Sequence, residues 1–172
     1  DRTPNATSSN GTGSAVFRMV SAHKGFKNVS VDVRLRHERY VATNRTPAVA
    51  WDGAHVFLRY QSEESLYYAS VSRRDGAVAI KKKVPGGPSN GGTYYTLAEK
   101  RVPFPTNQWR DVRATIRDRS DGGVAIELAV GGKTVVTAVD KGVGGAPIRA
   151  GGIGLRGDNA QFSFDDLTVT PA

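Results

Sequence analysis

Apolar and polar residues alternate along most of this chain. Residues 29–36 place Val or Leu at every second position, with Ser, Asp or Arg between them, which is the period-two pattern of a strand with one buried face. The same pattern recurs at 56–60, whereas helical periodicity is found nowhere. The pattern therefore predicts an all-β protein. Further strands are predicted at 68–71, 77–84, 111–119, 124–130, 134–139, 152–156 and 162–169.

Glycine-rich turns separate these predicted strands. Asp75-Gly76 favours a tight hairpin, because this pair readily adopts the positive φ angles of such a turn. Residues 85–92 combine Pro, Gly, Ser and Asn, and they are expected to form a loop without regular structure. Many short strands at close spacing indicate a sandwich or a barrel.

The length of 172 residues is typical of one domain. Residues 1–14 have the composition of a flexible polar linker, which leaves 15–172 as the folded domain. Such a linker is typical of segments that follow a removed export signal, and it predicts a secreted, extracellular protein, bacterial by its Arg/Ala/Val/Gly-rich composition. No membrane association is expected, and the absence of cysteine excludes disulfides and thiolate metal sites.

The net charge of +8 is unevenly distributed. Residues 21–101 hold fourteen basic and seven acidic residues, whereas residues 102–172 hold eight of each. A surface that binds a polyanion would produce this asymmetry, because clustered cations attract an anionic partner. The alternative is a basic surface that only maintains solubility.

Several short motifs carry a resemblance to a known family. The four motifs are residues 56–61 together with Tyr67-Tyr68, residues 109–113, the hairpin at residues 130–133, and residues 151–155, which lead to residues 164–167. In their order these motifs resemble the concanavalin A-like lectin/glucanase superfamily, in its laminin-G-like carbohydrate-active branch. The resemblance covers roughly residues 15–170. It implies a jelly-roll sandwich of two antiparallel sheets, with a carbohydrate bound on the concave sheet.

The candidate binding surface is basic and rich in tyrosine. On a strand, Lys81 and Lys83 share one face and Lys82 points to the other. Lysine and arginine suit carboxylates or sulfates, and tyrosine rings offer flat surfaces to sugars. The predicted partner is an acidic, uronate or sulfated, polysaccharide rather than nucleic acid, and the alternative is a solvated edge strand. The predicted substrate-binding residues are Arg59, Tyr67, Arg73, Lys81, Lys83, Asn90 and Tyr95.

A second hypothesis is a polysaccharide lyase that cleaves a uronate polymer by β-elimination. This reaction needs a group that neutralises the carboxylate, a base and an acid. Arg59, Lys81 or Lys83 could neutralise the carboxylate, with His55 or His37 as base. The predicted catalytic residues, if the protein is a lyase, are His55, Tyr68 and Tyr94, with Tyr95 as an alternative acid or base.

Glycoside hydrolysis is not expected, because no pair of carboxylates has the required spacing on a strand. A third hypothesis is a non-catalytic module for adhesion or protein recognition. All three hypotheses predict a monomer that requires no cofactor.

Acidic residues near the end of the chain suggest a structural calcium site. Asp158, Asp165 and Asp166 supply oxygen ligands of the kind that calcium prefers, and the alternative is a plain polar turn. Trp109 is expected as a core or sheet-end anchor. Trp51, in the irregular segment 47–53, could cap the core or face a ligand, and a core position is favoured for both.

Overall fold

The computed structural model describes residues 14–172, so residues 1–13 of the predicted linker lie outside the described part of the chain. It confirms the predicted all-β fold, a sandwich of two antiparallel sheets. Within residues 14–172 no helix is long and apolar enough to span a membrane. The strands are β1 Val16–Val20, β2 Val29–Tyr40, β3 Gly53–Ser62, β4 Ser65–Arg73, β5 Ala77–Ser89, β6 Gly92–Arg101, β7 Trp109–Asp118, β8 Val124–Val130, β9 Lys133–Asp140, β10 Gly152–Asp158 and β11 Ala160–Pro171.

The two sheets contain six and five strands. The six-stranded sheet has the order β1-β10-β3-β4-β5-β6, and the five-stranded sheet has the order β11-β2-β7-β8-β9. Neighbouring strands are antiparallel throughout. Strands from the two ends of the chain pair with each other in both sheets, β1 with β10 and β2 with β11. The sandwich is therefore complete only when the last strands have formed.

The core lies between the sheets and follows the alternation seen in the sequence. Val31, Val33 and Leu35 of β2 are buried, while the polar residues between them lie on the outer face of the five-stranded sheet. Val56 and Leu58 of β3 are also buried in this core. Burial of one face of each strand is the main stabilising term of such a sandwich.

The expectation of an irregular loop at residues 85–92 is wrong. Strand β5 continues to Ser89 and β6 begins at Gly92, so the two strands form a long hairpin. Proline is compatible with an extended strand segment, and a register shift between Pro85 and Ser89 accommodates Gly86 and Gly87. The turn is made at Asn90-Gly91, where φ is 50° and 75°. These are the positive values that a tight hairpin turn requires.

A buried ion pair fixes the inner side of β5. The Lys82 and Asp140 side chains are fully buried, and Nζ lies 2.9 Å from Oδ2. Lys82 Nζ also donates to the carbonyl oxygens of Val143, Gly145 and Ala146 at 2.7–3.0 Å. The ammonium group thus holds the segment after β9 against the inside of the six-stranded sheet.

Candidate functional site

A cleft of about 490 Å³ lies on the outer face of the six-stranded sheet. Because side chains alternate along β5, Lys82 points into the sandwich and Lys81 points into the cleft, as the sequence predicted. The tip of the β5–β6 hairpin and the segment before β3 provide the walls. The lining residues are Val49, Trp51, His55, Phe57, Tyr68, Lys81, Pro88, Ser89, Asn90, Tyr94, Arg156 and Asp158.

Aromatic rings form much of this surface. Tyr68 makes edge-to-face contacts with Tyr94, with ring centroids 5.6 Å apart, and with His55 at 5.4 Å. Trp51 is 49% exposed, so a large flat ring faces solvent at the cleft. Flat apolar rings with a polar edge are suited to packing against sugar rings.

A chain of buried polar groups lies beneath the rings. His55 Nδ1 is 2.9 Å from the Ser70 hydroxyl, and His55 Nε2 is 3.0 Å from Asp158 Oδ2. The Asp158 Oδ1 atom accepts hydrogen bonds from Arg156 Nε at 3.0 Å and Nη2 at 2.8 Å. Each group therefore fixes the orientation of the next.

Burial and this hydrogen bonding set the charge states of the chain. Burial lowers the pKa of His55, although its contact with Asp158 acts in the opposite direction. Burial acts to raise the pKa of Asp158, but the hydrogen bond from His55 and the charge of Arg156 leave that pKa below its usual value. We infer a neutral imidazole beside an ionised carboxylate at neutral pH.

Lys81 differs from the other cations of the site. It is half-buried, and burial, with the nearby charge of Arg73, lowers its pKa. Across residues 14–172 its Nζ atom forms no hydrogen bond and no ion pair. Lys81 lies directly opposite Tyr68 in the β4–β5 pairing, and both side chains line the cleft. The structure thus places an unpaired ammonium group beside an aromatic ring.

The Tyr68 hydroxyl is also without a hydrogen-bond partner among the described residues. Burial raises the pKa of Tyr68, as it does that of Tyr94. The Tyr94 hydroxyl in contrast lies near the Arg156 guanidinium, which acts against burial and favours a lower pKa. The two tyrosine hydroxyls of the cleft therefore have different surroundings.

The three predicted catalytic residues, His55, Tyr68 and Tyr94, come together in this cleft, whereas the alternative base does not. His37 is fully buried in the sandwich, with Nδ1 2.6 Å from the Ser72 hydroxyl. In His55 both ring nitrogens are engaged by Ser70 and Asp158. The imidazole is thus arranged to position its neighbours rather than to take a proton from a ligand.

Of the predicted substrate-binding residues, Lys81 and Asn90 line the cleft. Lys83 is 2% exposed, with Nζ 4.9 Å from the centre of the Tyr94 ring and 3.3 Å from the Asn90 carbonyl oxygen. Arg73 is buried and paired with Asp75 and Glu99. Neither of these two cations lines the cleft.

Arg59, Tyr67 and Tyr95 do not belong to the cleft, which corrects their prediction as binding residues. Arg59 is fully buried and donates to the carbonyl oxygens of Lys27 at 2.9 Å and Ile148 at 2.7 Å. Tyr67 is fully buried, and its hydroxyl donates to Asp140. The Tyr95 ring packs against Gly144, where a Cβ atom would come within 2.3 Å of it.

Local backbone geometry explains the position of Arg59. It has φ of 47°, and β3 has an irregularity in its pairing between Leu58 and Ser62. Such a bulge changes which face of a sheet a side chain takes, so simple alternation fails there. Tyr67 and Tyr95, by contrast, occupy the inner-facing positions next to Tyr68 and Tyr94.

The three predicted calcium ligands do not form one group. Asp158 is paired with His55 and Arg156 in the cleft. Asp165 and Asp166 belong to β11, where they lie 4.0 Å and 3.6 Å from Arg34 Nη1. Within residues 14–172 no cluster of three or more His, Asp or Glu side chains is arranged to hold a metal ion.

Sequence reasoning missed two features of the cleft. Trp51 and Trp109 are 49% and 37% exposed, so the core position favoured for both is wrong, and Trp51 instead lines the cleft. Arg156 was not singled out, although its alternation with Asp158 on β10 puts both on one face. Its place in the site depends on the pairing of β10 with β3, which no local pattern reveals.

Comparisons with known proteins identify the fold. No protein-family model and no curated protein matches the sequence. The structure is similar to carbohydrate-binding module CBM66 from Bacillus subtilis, with a TM-score of 0.64 and 15% identity over 90% of this chain and 81% of that one. Galectin LEC-6 from Caenorhabditis elegans gives a TM-score of 0.54 and 17% identity over 90% and 89% of the two chains.

An endo-beta-1,4-glucuronan lyase from the fungus Trichoderma reesei is a further structural neighbour. It gives a TM-score of 0.55 and 9% identity over 94% of this chain and 76% of that one. At such identities the likeness concerns the fold alone. The chain therefore has the jelly-roll fold found in these proteins.

Proposed function

We propose that this protein is a secreted domain that binds an acidic polysaccharide in the cleft on its six-stranded sheet. The observation that carries the proposal is Lys81, a half-buried ammonium group that makes no ion pair or hydrogen bond among residues 14–172 and lines a cleft together with aromatic side chains. A partly desolvated cation of this kind is stabilised by an anionic ligand. The rings of Trp51, Tyr68 and Tyr94 would pack against the sugars.

The structural neighbours support a carbohydrate ligand. One is a carbohydrate-binding module and another is a glucuronan lyase by name, and both share the jelly-roll fold of this chain. They favour assignment to the concanavalin A-like superfamily, as the sequence motifs do. A ligand on a sheet face also agrees with the position of the cleft.

Exchange of a single lysine tests this proposal. Lys81→Gln should weaken binding to an acidic polysaccharide about 10-fold or more, because a charge-assisted hydrogen bond contributes ~1.5–3 kcal/mol. Lys133→Gln is the matched control, since Lys133 is exposed on β9, away from the cleft. Affinity electrophoresis in gels that contain the polymer measures both variants. Equal retention of the two variants would contradict the proposal.

A uronate lyase is the second candidate, and the unpartnered Tyr68 hydroxyl beside Lys81 favours it. In β-elimination Lys81 would neutralise the carboxylate, and the Tyr68 hydroxyl would donate its proton to the leaving glycosidic oxygen as the C4–O bond breaks. The resulting phenolate would take the C5 proton as the C4–C5 double bond forms, which restores the hydroxyl. The raised pKa of Tyr68 means that it would enter such a reaction protonated, which fits an acid better than a base.

The ultraviolet absorbance of unsaturated uronate distinguishes a lyase from a binding module. A rise on incubation with a uronate polymer, abolished by Tyr68→Phe, would establish the lyase. Retention of the same polymer without a rise would leave a binding module. Retention of no carbohydrate at all would favour the third hypothesis, adhesion or protein recognition. We further propose that the domain acts as a monomer.

A further inference from the structure

The balance of charges in the cleft limits the kind of anion that it can hold. Two cations line it, Lys81 and Arg156, together with one carboxylate, Asp158. Arg156 makes two hydrogen bonds to Asp158, so its charge is already balanced. The lining therefore carries one net positive charge, and this charge resides on Lys81.

The other cations near the cleft are paired with carboxylates or are buried. Arg73 is paired with Asp75 and Glu99, and Arg18 is paired with Glu63. Lys83 is 2% exposed and directed to the Asn90 carbonyl oxygen. Among residues 14–172, Lys81 is thus the cation of the cleft lining whose Nζ atom makes no ion pair or hydrogen bond, and the nearest carboxylates that act on its charge, Asp75 and Glu99, are paired with Arg73.

We propose that the cleft binds a hexuronate unit through one carboxylate at Lys81 and discriminates against polysulfated sugars. This inference rests on the proposed function and names its substrate class. A carboxylate on a mostly apolar ring matches one free ammonium group flanked by Trp51, Tyr68 and Tyr94. Further anionic groups in the cleft would meet no free cation, and burial of an unpaired charge is strongly unfavourable.

Lys81 and Tyr68 together define the position of the carboxylate. The two residues are directly opposite each other on adjacent strands, and both hold unused donors. The ammonium and the phenol hydroxyl can each donate to one carboxylate, while the neighbouring rings contact the apolar faces of the sugars. A neutral sugar would leave the ammonium group unpaired.

Matched ligands test the inference by isothermal titration calorimetry. The probes are polyglucuronate, polygalacturonate and polymannuronate, each with its carboxyl-reduced form and a sulfated derivative of that form. We expect at least one uronate polymer to bind about 10- to 100-fold more tightly than its reduced and sulfated forms. The logarithm of its binding constant should fall with the logarithm of salt concentration with a slope near ~−1, the value for about one ion pair.

Two variants complete the test. Lys81→Gln should lose the preference for the uronate form and most of the salt dependence, whereas Lys81→Arg should keep both. Because the Lys81 side chain forms no hydrogen bond or ion pair among the described residues, neither exchange should lower the unfolding temperature. Loss of preference in both variants with an intact fold would overturn the role of this charge.

The remaining outcomes separate this inference from the proposed function. Tighter binding of the sulfated polymers with a salt slope several-fold steeper would overturn the inference but leave an acidic-polysaccharide domain. Equal binding of reduced and uronate forms would overturn the inference and the acidic part of the proposed function. Binding of none of the polymers would overturn both.

Discussion

The role of each residue in this protein depends on the neighbours that its side chain contacts. Lys81, Lys82 and Lys83 are consecutive, yet one lines the cleft, one is paired with Asp140 in the interior, and one stacks on Tyr94. The two tryptophans differ in the same way. Trp51 lines the cleft, whereas Trp109 lies on the five-stranded sheet, 5.2 Å and 5.1 Å from the guanidinium carbons of Arg34 and Arg36.

The tryptophans provide a matched pair for testing the cleft. Trp51→Ala should weaken polysaccharide binding about 3- to 10-fold, because the loss of an aromatic contact costs ~0.5–1.5 kcal/mol beyond the area it buries. Trp109→Ala should leave binding unchanged, since it removes a comparable exposed ring from the other sheet. Isothermal titration calorimetry with the polymer checks both variants. An equal loss of affinity in the two would contradict the assignment of the cleft.

His37 should make the fold sensitive to acid. Burial lowers its pKa to about 4, although a hydrogen bond to the backbone opposes this. Its unfolded pKa is ~6.5, so the unfolded chain binds the proton first, and stability falls as pH drops from about 6.5 towards 4. At pH ~4.5 the loss should be about 2–3 kcal/mol relative to neutral pH.

Urea unfolding at the two pH values measures this effect. His37→Gln should make the free energy of unfolding less dependent on pH in this window, since glutamine does not titrate. His23→Gln is the control, because His23 is exposed. A pH dependence that is the same in His37→Gln and the wild type would show that His37 is not its source. His55, whose pKa is also lowered, should contribute in the same direction.

At the scale of elements, the site depends on how β5 is held. Its outer side presents Lys81 to the cleft, and its inner side is anchored through Lys82 to the segment that follows β9. The Tyr67 hydroxyl also donates to Asp140, so β4 and β5 share one buried anchor. The contacts of Tyr67 and Lys82 with Asp140, on the inner side of the sheet, therefore hold β4 and β5 where their outer side chains line the cleft.

Removal of the Lys82 charge should therefore destabilise the whole domain. Lys82→Met leaves Asp140 buried without its cation, which costs ~3–5 kcal/mol for pairs of this kind. Lys81→Met, one residue earlier, should cost less than ~1 kcal/mol because Lys81 has no partner to lose. Urea unfolding measures both, and the double variant Lys82→Met/Asp140→Asn should recover part of the loss. Similar stability of the two single variants would refute the anchor.

At the scale of the whole molecule, the ends of the chain close the sandwich. Strand β11 pairs with β2 along most of its length, and Phe162, Phe164 and Val169 pack against the core. Strand β10 lies between β1 and β3, and it brings Arg156 and Asp158 to His55. The site thus joins residues that are more than a hundred positions apart in sequence.

A chain that ends at Asn159 tests this dependence. Without β11 the edge of β2 loses its paired strand and the core loses Phe162, Phe164 and Val169, so we expect no cooperative thermal transition and a weak near-ultraviolet circular dichroism signal. Removal of Ala172 alone is the control, since it lies beyond the last strand. A cooperative transition at the wild-type temperature in the shorter chain would contradict this expectation.

Part of the site was predictable from local patterns. Alternation predicted that Lys81 and Lys82 point to opposite faces, which the structure shows, and the predicted Tyr68 and Tyr94 both line the cleft. Alternation failed to predict the position of Arg59, where a bulge and a positive φ turn the side chain inwards. The prediction of a loop at residues 85–92 from their Pro and Gly content was wrong, because proline and glycine are compatible with an extended hairpin as well as with a loop.

The sequence by itself determined the all-β fold class and the faces of its regular strands, because both depend on residues that are close in the chain. The period of two sets which side of a strand is buried, whatever the partner strand. The tertiary structure alone decided that β10 lies beside β3 and that Lys81 remains unpaired. It also decided that Asp158 pairs with Arg156 and His55 and does not join Asp165 and Asp166 in a calcium site. Charge pairing depends on distances in space, and those are set by strand order, which local patterns do not encode.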